Sequence, residues 1–357
     1  MTNREKFFKV VRREMEGYIP FEFRLCPKLK TEFEERTGIM DYSTYYDMPL
    51  KFVWLNFKKR EIDFLKYFSE KDIKQITSID EWGVGYIRGS VEHFEKMVPP
   101  MQNFETIEEF MDFPYPDPDK DFDFSYTTKE VESIKKEDKV VMAAMDMTIF
   151  EIAWYLRGMD TFMMDLLTEP ELANYHLDRI TEIRCNHAKK FAECGVDVLH
   201  LGDDVSTQLD MMISPEIWRT FLKPRLKKVI DAAREVKKDI LIDYHGDGNL
   251  EKIISDLIEI GVDILNPIQP ECMDPVKIKE LYGDKLSFRG TIGTQSTMPF
   301  GTPEDVERVC MEMIETVGKG GGLILAPTHL LEPEVPWGNI ESFINTVKKY
   351  NEKYCEK

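Results

Sequence analysis

The chain has 357 residues, 42% hydrophobic and 32% charged, which is enough apolar material for a large core and excludes a disordered or fibrous protein. A formal net charge of −19 excludes non-specific attraction to nucleic-acid phosphates or anionic lipid, because both partners would carry the same sign. Six cysteines (Cys26, Cys185, Cys194, Cys272, Cys310 and Cys355) fall without a Cys-x-x-Cys spacing and read as reduced, mostly buried thiols.

The amino-terminal stretch MTNREKFFKVVRREMEG is charged and amphipathic and lacks the apolar run of a signal peptide, and no later stretch reads as a membrane span. The expectation is a cytoplasmic protein. Up to about Glu130, short helical runs are broken by Pro, Gly and Asp, with one strand expected at YIPFEFR, ending at Arg24. Residues 113–126, FPYPDPDKDFDFSY, read as a surface loop without a domain boundary.

From about Lys139 the pattern changes to short runs rich in Val, Ile and Leu, each followed by a polar turn and a helical segment. The runs end near Asp146, Asp204, Asp247, Glu271, Gln295 and His329. Apolar residues at three and four spacing predict helices over Pro215–Val236, Leu250–Ile260, Pro303–Val317 and Asn339–Tyr350, with Ser214 and Thr302 as caps before a first-turn proline. Such alternation signals parallel strands, and six late units plus the early strand leave one to complete an eightfold ring. No Gly-x-Gly-x-x-Gly follows any strand, which disfavours a dinucleotide-binding doubly wound sheet. The expected fold is therefore α/β, a (β/α)8 TIM barrel forming one domain over 1–357, with 1–130 as irregular, partly helical decoration.

In a parallel barrel the strand ends converge on one mouth, so polar residues just past each run can meet there. The set contains Arg24, Asp146, Asp203, Asp204, Gln208, His245, Asp247, Gln269, Glu271, Arg289, Gln295 and His329. His245, trailed by Gly246-Asp247-Gly248, offers an imidazole and a carboxylate from one tight turn, a metal-binding pattern that His329 could complete; hydrogen bonding or acid–base roles are the alternative. Of the adjacent Asp203 and Asp204, strand alternation lets one enter the mouth, and Asp203 is the expected one, as a proton-transfer group. Arg24 is placed to receive a substrate carboxylate. Histidines 93, 176, 187 and 200 read as structural.

An ordered series of motifs gives these residues a context: Asp203-Asp204 with Gln208, ISPEIWRTFLKPRLK from Ile213, HGDGN from His245, GVDILNPIQP from Gly261, YGDKLSFRGTIGTQ from Tyr282, FGTPEDV from Phe300, GGGLILAPTHLL from Gly320 and VPWGNI from Val335. Over roughly residues 196–350 the chain resembles the uroporphyrinogen decarboxylase superfamily, with a looser likeness at IPFEFR. The resemblance implies the barrel and one of two chemistries, cofactor-free decarboxylation of a multi-acid tetrapyrrole or zinc-dependent methyl transfer involving a corrinoid. The decarboxylase element Arg-Gln-Ala-Gly-Arg corresponds here to Arg24-Leu-Cys-Pro-Lys28, so most of its anion grip is missing. The methyltransferase element His-x-Cys-Gly-Asn, with a cysteine at the last strand, corresponds to His245-Gly-Asp247-Gly-Asn249 and His329.

Both family cysteines are thus replaced by harder donors, and Glu271 is the expected fourth ligand. This set implies Zn2+ acting on a methyl ether, an O-demethylase type of reaction on a small-molecule methyl donor such as a methoxylated aromatic. The methyl group would pass to a corrinoid (cobalamin) carried by a partner protein. Asp146, Gln208, Gln269, Arg289 and Gln295, with Arg24, are the expected substrate contacts, and Asp203, His245 and Arg24 the catalytic group. His329 also matches a histidine kept by the decarboxylase branch and does not separate the two. The alternatives are a cofactor-free decarboxylase, with Arg24 and Arg289 holding carboxylates and Asp203 assisting proton transfer, and a non-catalytic barrel that sequesters a tetrapyrrole. A homodimer is implied by the resemblance alone.

Overall fold

A computed structural model describes residues 1–89 and 95–355, with side chains to Lys353; His93 and the Cys355 side chain lie outside the described residues. Seven parallel strands form one sheet in chain order: β1 (Leu50–Val53), β2 (Val140–Met145), β3 (Val198–Gly202), β4 (Leu241–His245), β5 (Ile264–Asn266), β6 (Ser287–Ile292) and β7 (Leu323–Pro327). Residues 19–25 supply an eighth stave. Phe21 and Leu25 bridge in parallel to Leu325 and Leu331, and Glu22 N–H donates to Leu325 O at 3.2 Å. The ring is a TIM-type barrel.

The six late strands coincide with the six predicted runs. β1 was not anticipated, because LKFV is only four residues long and Lys51 faces outward, giving no run to stand out in an irregular region. Nor was the three-stranded antiparallel sheet of Ser78–Ile79, Gly85–Arg88 and Glu95–Val98, which accompanies the expected helices in the amino-terminal part. The predicted caps are in place: Ser214 Oγ accepts from Ile217 N at 3.2 Å, and Thr302 forms a capping box with Asp305. Among the described residues, no helix is long and apolar enough to cross a membrane.

Strand alternation sorts the barrel interior into layers. At the amino-terminal end of the strands, Leu50, Val140, Met142, Val198, Leu241, Ile264 and Ile324 pack together, and Phe7 and Val11 of helix Asn3–Val11 close that end. Two residues further along each strand, the inward positions carry His200, Asp243 and Arg289, joined by Glu22 of the stave. Two residues further again lie Asp146, Gly202 and His245, at the mouth. The outward faces of the strands pack into the large core shared with the surrounding helices.

Candidate active site

The middle layer is a buried and mutually compensated charge network. Arg289, 1% exposed, donates to Asp243 (Nε to Oδ1 3.0 Å, Nη2 to Oδ2 2.9 Å) and to Glu22 Oε1 at 2.6 Å. His200 lies between two carboxylates, its Nδ1 on Asp243 and its Nε2 2.8 Å from Asp146 Oδ1. Burial alone would lower the His200 pKa, but Asp146 and Asp243 raise it. Burial alone would raise the Asp243 carboxyl, but Arg289 and His200 hold it well below the usual carboxylate range. A cation–anion lattice of this kind tolerates burial because each charge has a partner.

The mouth above it is different. His245 Nδ1 is 2.6 Å from Asn266 Oδ1, and Asn266 is itself held by its Nδ2 donating to Arg289 O at 2.7 Å. The Asn266 oxygen can only accept, so Nδ1 donates to it and Nε2 faces the mouth. Asp204 Oδ1 and Asp247 Oδ1 each lie 3.8 Å from that Nε2, and all three ligand atoms fall within 4.8 Å of one another.

The loop after β4 is built to hold this arrangement. Asp247 N–H donates to Asp204 Oδ1 at 2.7 Å, Gly248 N–H to Gln269 Oε1 at 2.7 Å, and Ser206 Oγ to the Asp247 carbonyl at 2.6 Å. Gly248 has φ +88°, and a Cβ there would sit 2.3 Å from Thr207 O, so the close approach of the two loops requires glycine.

Two observations test whether these residues fit a metal ion. Asp247 Oδ1 is buried without a hydrogen-bond partner, an expensive state for a carboxylate oxygen. Burial, reinforced by Asp204, pushes the Asp247 carboxyl up to about 6. A divalent cation bound by Asp204 Oδ1, His245 Nε2 and Asp247 Oδ1 would relieve both, and one nitrogen with two oxygens is a hard donor set suited to such an ion. The Asn266 contact is the kind of outer partner that orients a ligating histidine.

The sequence profile of uroporphyrinogen decarboxylase (URO-D) matches residues 3–350. The chain belongs to the URO-D family. This family member is 24% identical over 190 residues to the uroporphyrinogen decarboxylase of Chlorobaculum parvum; the match covers 52% of the chain and 51% of the relative, so the chain spans about half the length of that relative. It is 25% identical over 168 residues to a methylated-thiol–coenzyme M methyltransferase of Methanosarcina mazei, covering 46% of the chain and 42% of the relative. A solved methyltransferase structure from Methanosarcina mazei superposes with a TM-score of 0.72 at 16% identity, over 98% of this chain and 99% of that one, which shows the shared fold.

Within this URO-D family member the residues singled out from sequence divide by position. Asp203 does not enter the mouth. Its carboxylate, 4% exposed, turns outward and accepts from Ile149 N and Glu151 N at 3.0 to 3.1 Å, capping helix Phe150–Arg157, and burial pushes its pKa up to about 7. Asp204 takes the mouth position instead, because the two neighbours point to opposite sides and the helix amino terminus attracts the first. Arg289 is no free anion receptor, being committed to Asp243 and Glu22. Gln269 is 5% exposed and braces the Gly248 turn.

Glu271 lies outside the three-residue group, with Oε1 accepting from Ser296 Oγ at 2.7 Å and Oε2 buried without a partner. His329 is exposed at the rim and also outside the group. Gln208 and Gln295 bond each other at 2.7 Å, linking two mouth loops. Asp146 reaches the mouth with a 38% exposed side chain on His200, and Arg24 lies near enough to both Asp146 and Asp247 to favour their charged forms.

Three contributors were missed. His200 was read as a structural histidine but supports Asp146, which an inward phase shared with Asp243 and His245 would have indicated. Asn266 pairs in register with His245, a relation that only sheet pairing reveals. Glu151 accepts from Asp204 N at 3.1 Å, and burial with the charges of Asp204 and Asp203 pushes its carboxyl well above the usual range. Nothing in the local sequence marks it.

Proposed function

We propose that the protein is a metal-assisted methyltransferase that removes a methyl group from an oxygen-linked donor, such as a methoxylated aromatic, and passes it to a corrinoid carried by a partner protein. The observation that carries this reading is the convergence of Asp204, His245 and Asp247 at the mouth, with Asp247 Oδ1 buried and unpartnered. The methyltransferase relative supports the same reaction class, and the URO-D family membership is compatible with it beside decarboxylation. A bound Zn2+ would supply Lewis acidity toward an ether oxygen.

The chain's own residues do the rest. Asn266 accepts from His245 Nδ1 and so holds the ring with Nε2 turned toward the mouth. Asp204, held by the Asp247 N–H, is oriented before any ligand arrives, which lowers the reorganisation needed on binding. His200, clamped by Asp243, keeps the Asp146 carboxylate anionic and aimed at the mouth, where it can accept a hydrogen bond from a donor substrate. Arg24 stands beside this group with its guanidinium over the Phe52 ring, 5.6 Å from the centroid, ready to receive a negative substituent.

The metal-assisted reading is tested by metal analysis of purified and reconstituted protein, with methyl transfer assayed for His245→Ala. One equivalent of bound metal and a loss of transfer of a hundredfold or more, roughly 3 kcal/mol, are expected. Absence of bound metal after reconstitution, or unchanged transfer by the variant, overturns it. The cofactor-free decarboxylase reading draws support from the family profile, the decarboxylase relatives and Arg24, but its other two residues, Arg289 and Asp203, face inward and into a helix cap.

A further inference from the structure

The barrel wall is not sealed all the way round. Among the described residues, no backbone hydrogen bond joins the stave 19–25 to β1, although every other neighbouring pair in the ring is bonded. The gap opens into a cavity of about 630 Å3 that runs along the seam and reaches the mouth at Arg24, Trp54 and Leu330. That volume is within the roughly 300–1,000 Å3 of small-molecule sites.

Its lining has a specific chemistry. Trp54 stacks on Phe52 with ring centroids 5.8 Å apart and planes at 26°, yet it remains 53% exposed, leaving an indole face unused. The acids of the lining are largely neutralised: Lys51 Nζ lies 2.9 Å from both Asp41 and Glu137, Glu22 is held by Arg289, and burial pushes the Glu130 carboxyl upward. Arg24 and Lys30 are left as cations with no carboxylate within ion-pair distance among the described residues. Arg24 packs its guanidinium over Phe52, and no hydrogen bond among the described residues engages its side-chain N–H donors.

We propose that this seam is a binding site for an aromatic carboxylate, its ring packed on the exposed Trp54 face and its carboxylate paired with the Arg24 guanidinium. An arginine fork matches a carboxylate bidentately, and an indole face accepts a ring without demanding a particular substituent. The site shares Arg24 with the proposed donor-binding group, so it rests on that reading for its role in catalysis, while its geometry along the seam is separate from Asp204, His245 and Asp247.

The test is calorimetric titration of chelator-treated, full-length protein with 3,4-dimethoxybenzoate, 1,2-dimethoxybenzene and cyclohexanecarboxylate. Saturable binding of the benzoate is expected. Arg24→Gln should weaken it about 10- to 100-fold, the span of a charge-assisted hydrogen-bonded pair, while leaving 1,2-dimethoxybenzene unaffected. Trp54→Ala, at an exposed position that folding tolerates, should weaken both ring compounds about 2- to 10-fold and leave cyclohexanecarboxylate unchanged.

Absence of saturable benzoate binding, equal affinity for all three probes, or a folded Arg24→Gln protein with unchanged affinity overturns the proposal. If Arg24→Gln does not fold, Trp54→Ala with the three probes decides alone. Because the titration is done without metal, a failure here leaves the methyl-transfer reading standing, and a failure of methyl transfer leaves this one standing.

Discussion

The middle layer of the barrel and the mouth directly above it use the same residue types to opposite ends. In the middle, Glu22, Arg289, Asp243 and His200 alternate in sign, and each charge meets its opposite within hydrogen-bonding distance. At the mouth, Asp204, Asp247, Asp146 and the nearby Glu151 outnumber the cations, and Asp247 Oδ1 has no partner. Buried charge that is balanced holds a barrel together; buried charge that is unbalanced stores a demand for a ligand.

The comparison breaks most visibly at Arg289. Arg289→Leu leaves Glu22 and Asp243 buried without their cation and is expected to destabilise the protein by about 3–5 kcal/mol, read from the denaturant midpoint at pH 7.5. A loss under about 1 kcal/mol would mean that the network is not the structural element described here.

A second contrast lies between two buried histidines. His200 has carboxylate neighbours that raise its pKa against burial, whereas His176 hydrogen-bonds Tyr115 Oη and Ala153 O, each at 3.0 Å, and burial pushes its pKa down to about 4 from an ordinary 6.5. Between those values the unfolded chain takes up a proton that the folded chain refuses. Stability from this site is therefore complete above about pH 6.5 and is lost as the pH falls toward 4, by up to about 3 kcal/mol. Urea titrations of the wild type and His176→Gln from pH 7.5 to 4.5 should show a shallower acid loss in the variant; parallel curves would count against it.

A smaller effect is expected one step outside the proposed metal ligands Asp204, His245 and Asp247. Asn266→Ala should cost 10- to 100-fold in metal affinity, the range for outer partners of a ligating histidine, measured by competition with a chromophoric chelator. An unchanged affinity would show that the Asn266 contact does not prepare His245. The mildest expected effect on stability is at Asp247. Asp247→Asn should remove metal binding while leaving the metal-free protein within about 0.5 kcal/mol of wild type, or raising it, because an unpartnered buried charge disappears. Marked destabilisation there would place Asp247 with the structural charges instead.

The sequence was informative where a periodic signal was long and weak where residues act through neighbours. Six apolar runs each ending in polar chemistry identified the late strands, and proline after Ser214 and Thr302 located helix starts. The four-residue β1 carries no such signal, and without it the open seam could not be foreseen. The HGDGN turn was legible as a metal-binding pattern because His245 and Asp247 are local to each other. Asp204 was displaced in favour of Asp203, since alternation says that one of two neighbours faces the mouth but not which. That depended on the helix beginning at Phe150, whose amino terminus takes Asp203 as its cap.

By itself, then, the chain determined the strand–helix alternation, the barrel class and the turn that carries His245 and Asp247, because these arise from periodicity and glycine placement within short spans. Only the tertiary structure decided the partners: Asn266 across from His245, Arg289 turned inward to Asp243 and Glu22, and Glu271 and His329 outside the three-residue group. Those outcomes depend on strand register and on which burial costs are offset by an opposite charge, and both are properties of the closed ring rather than of any segment in it.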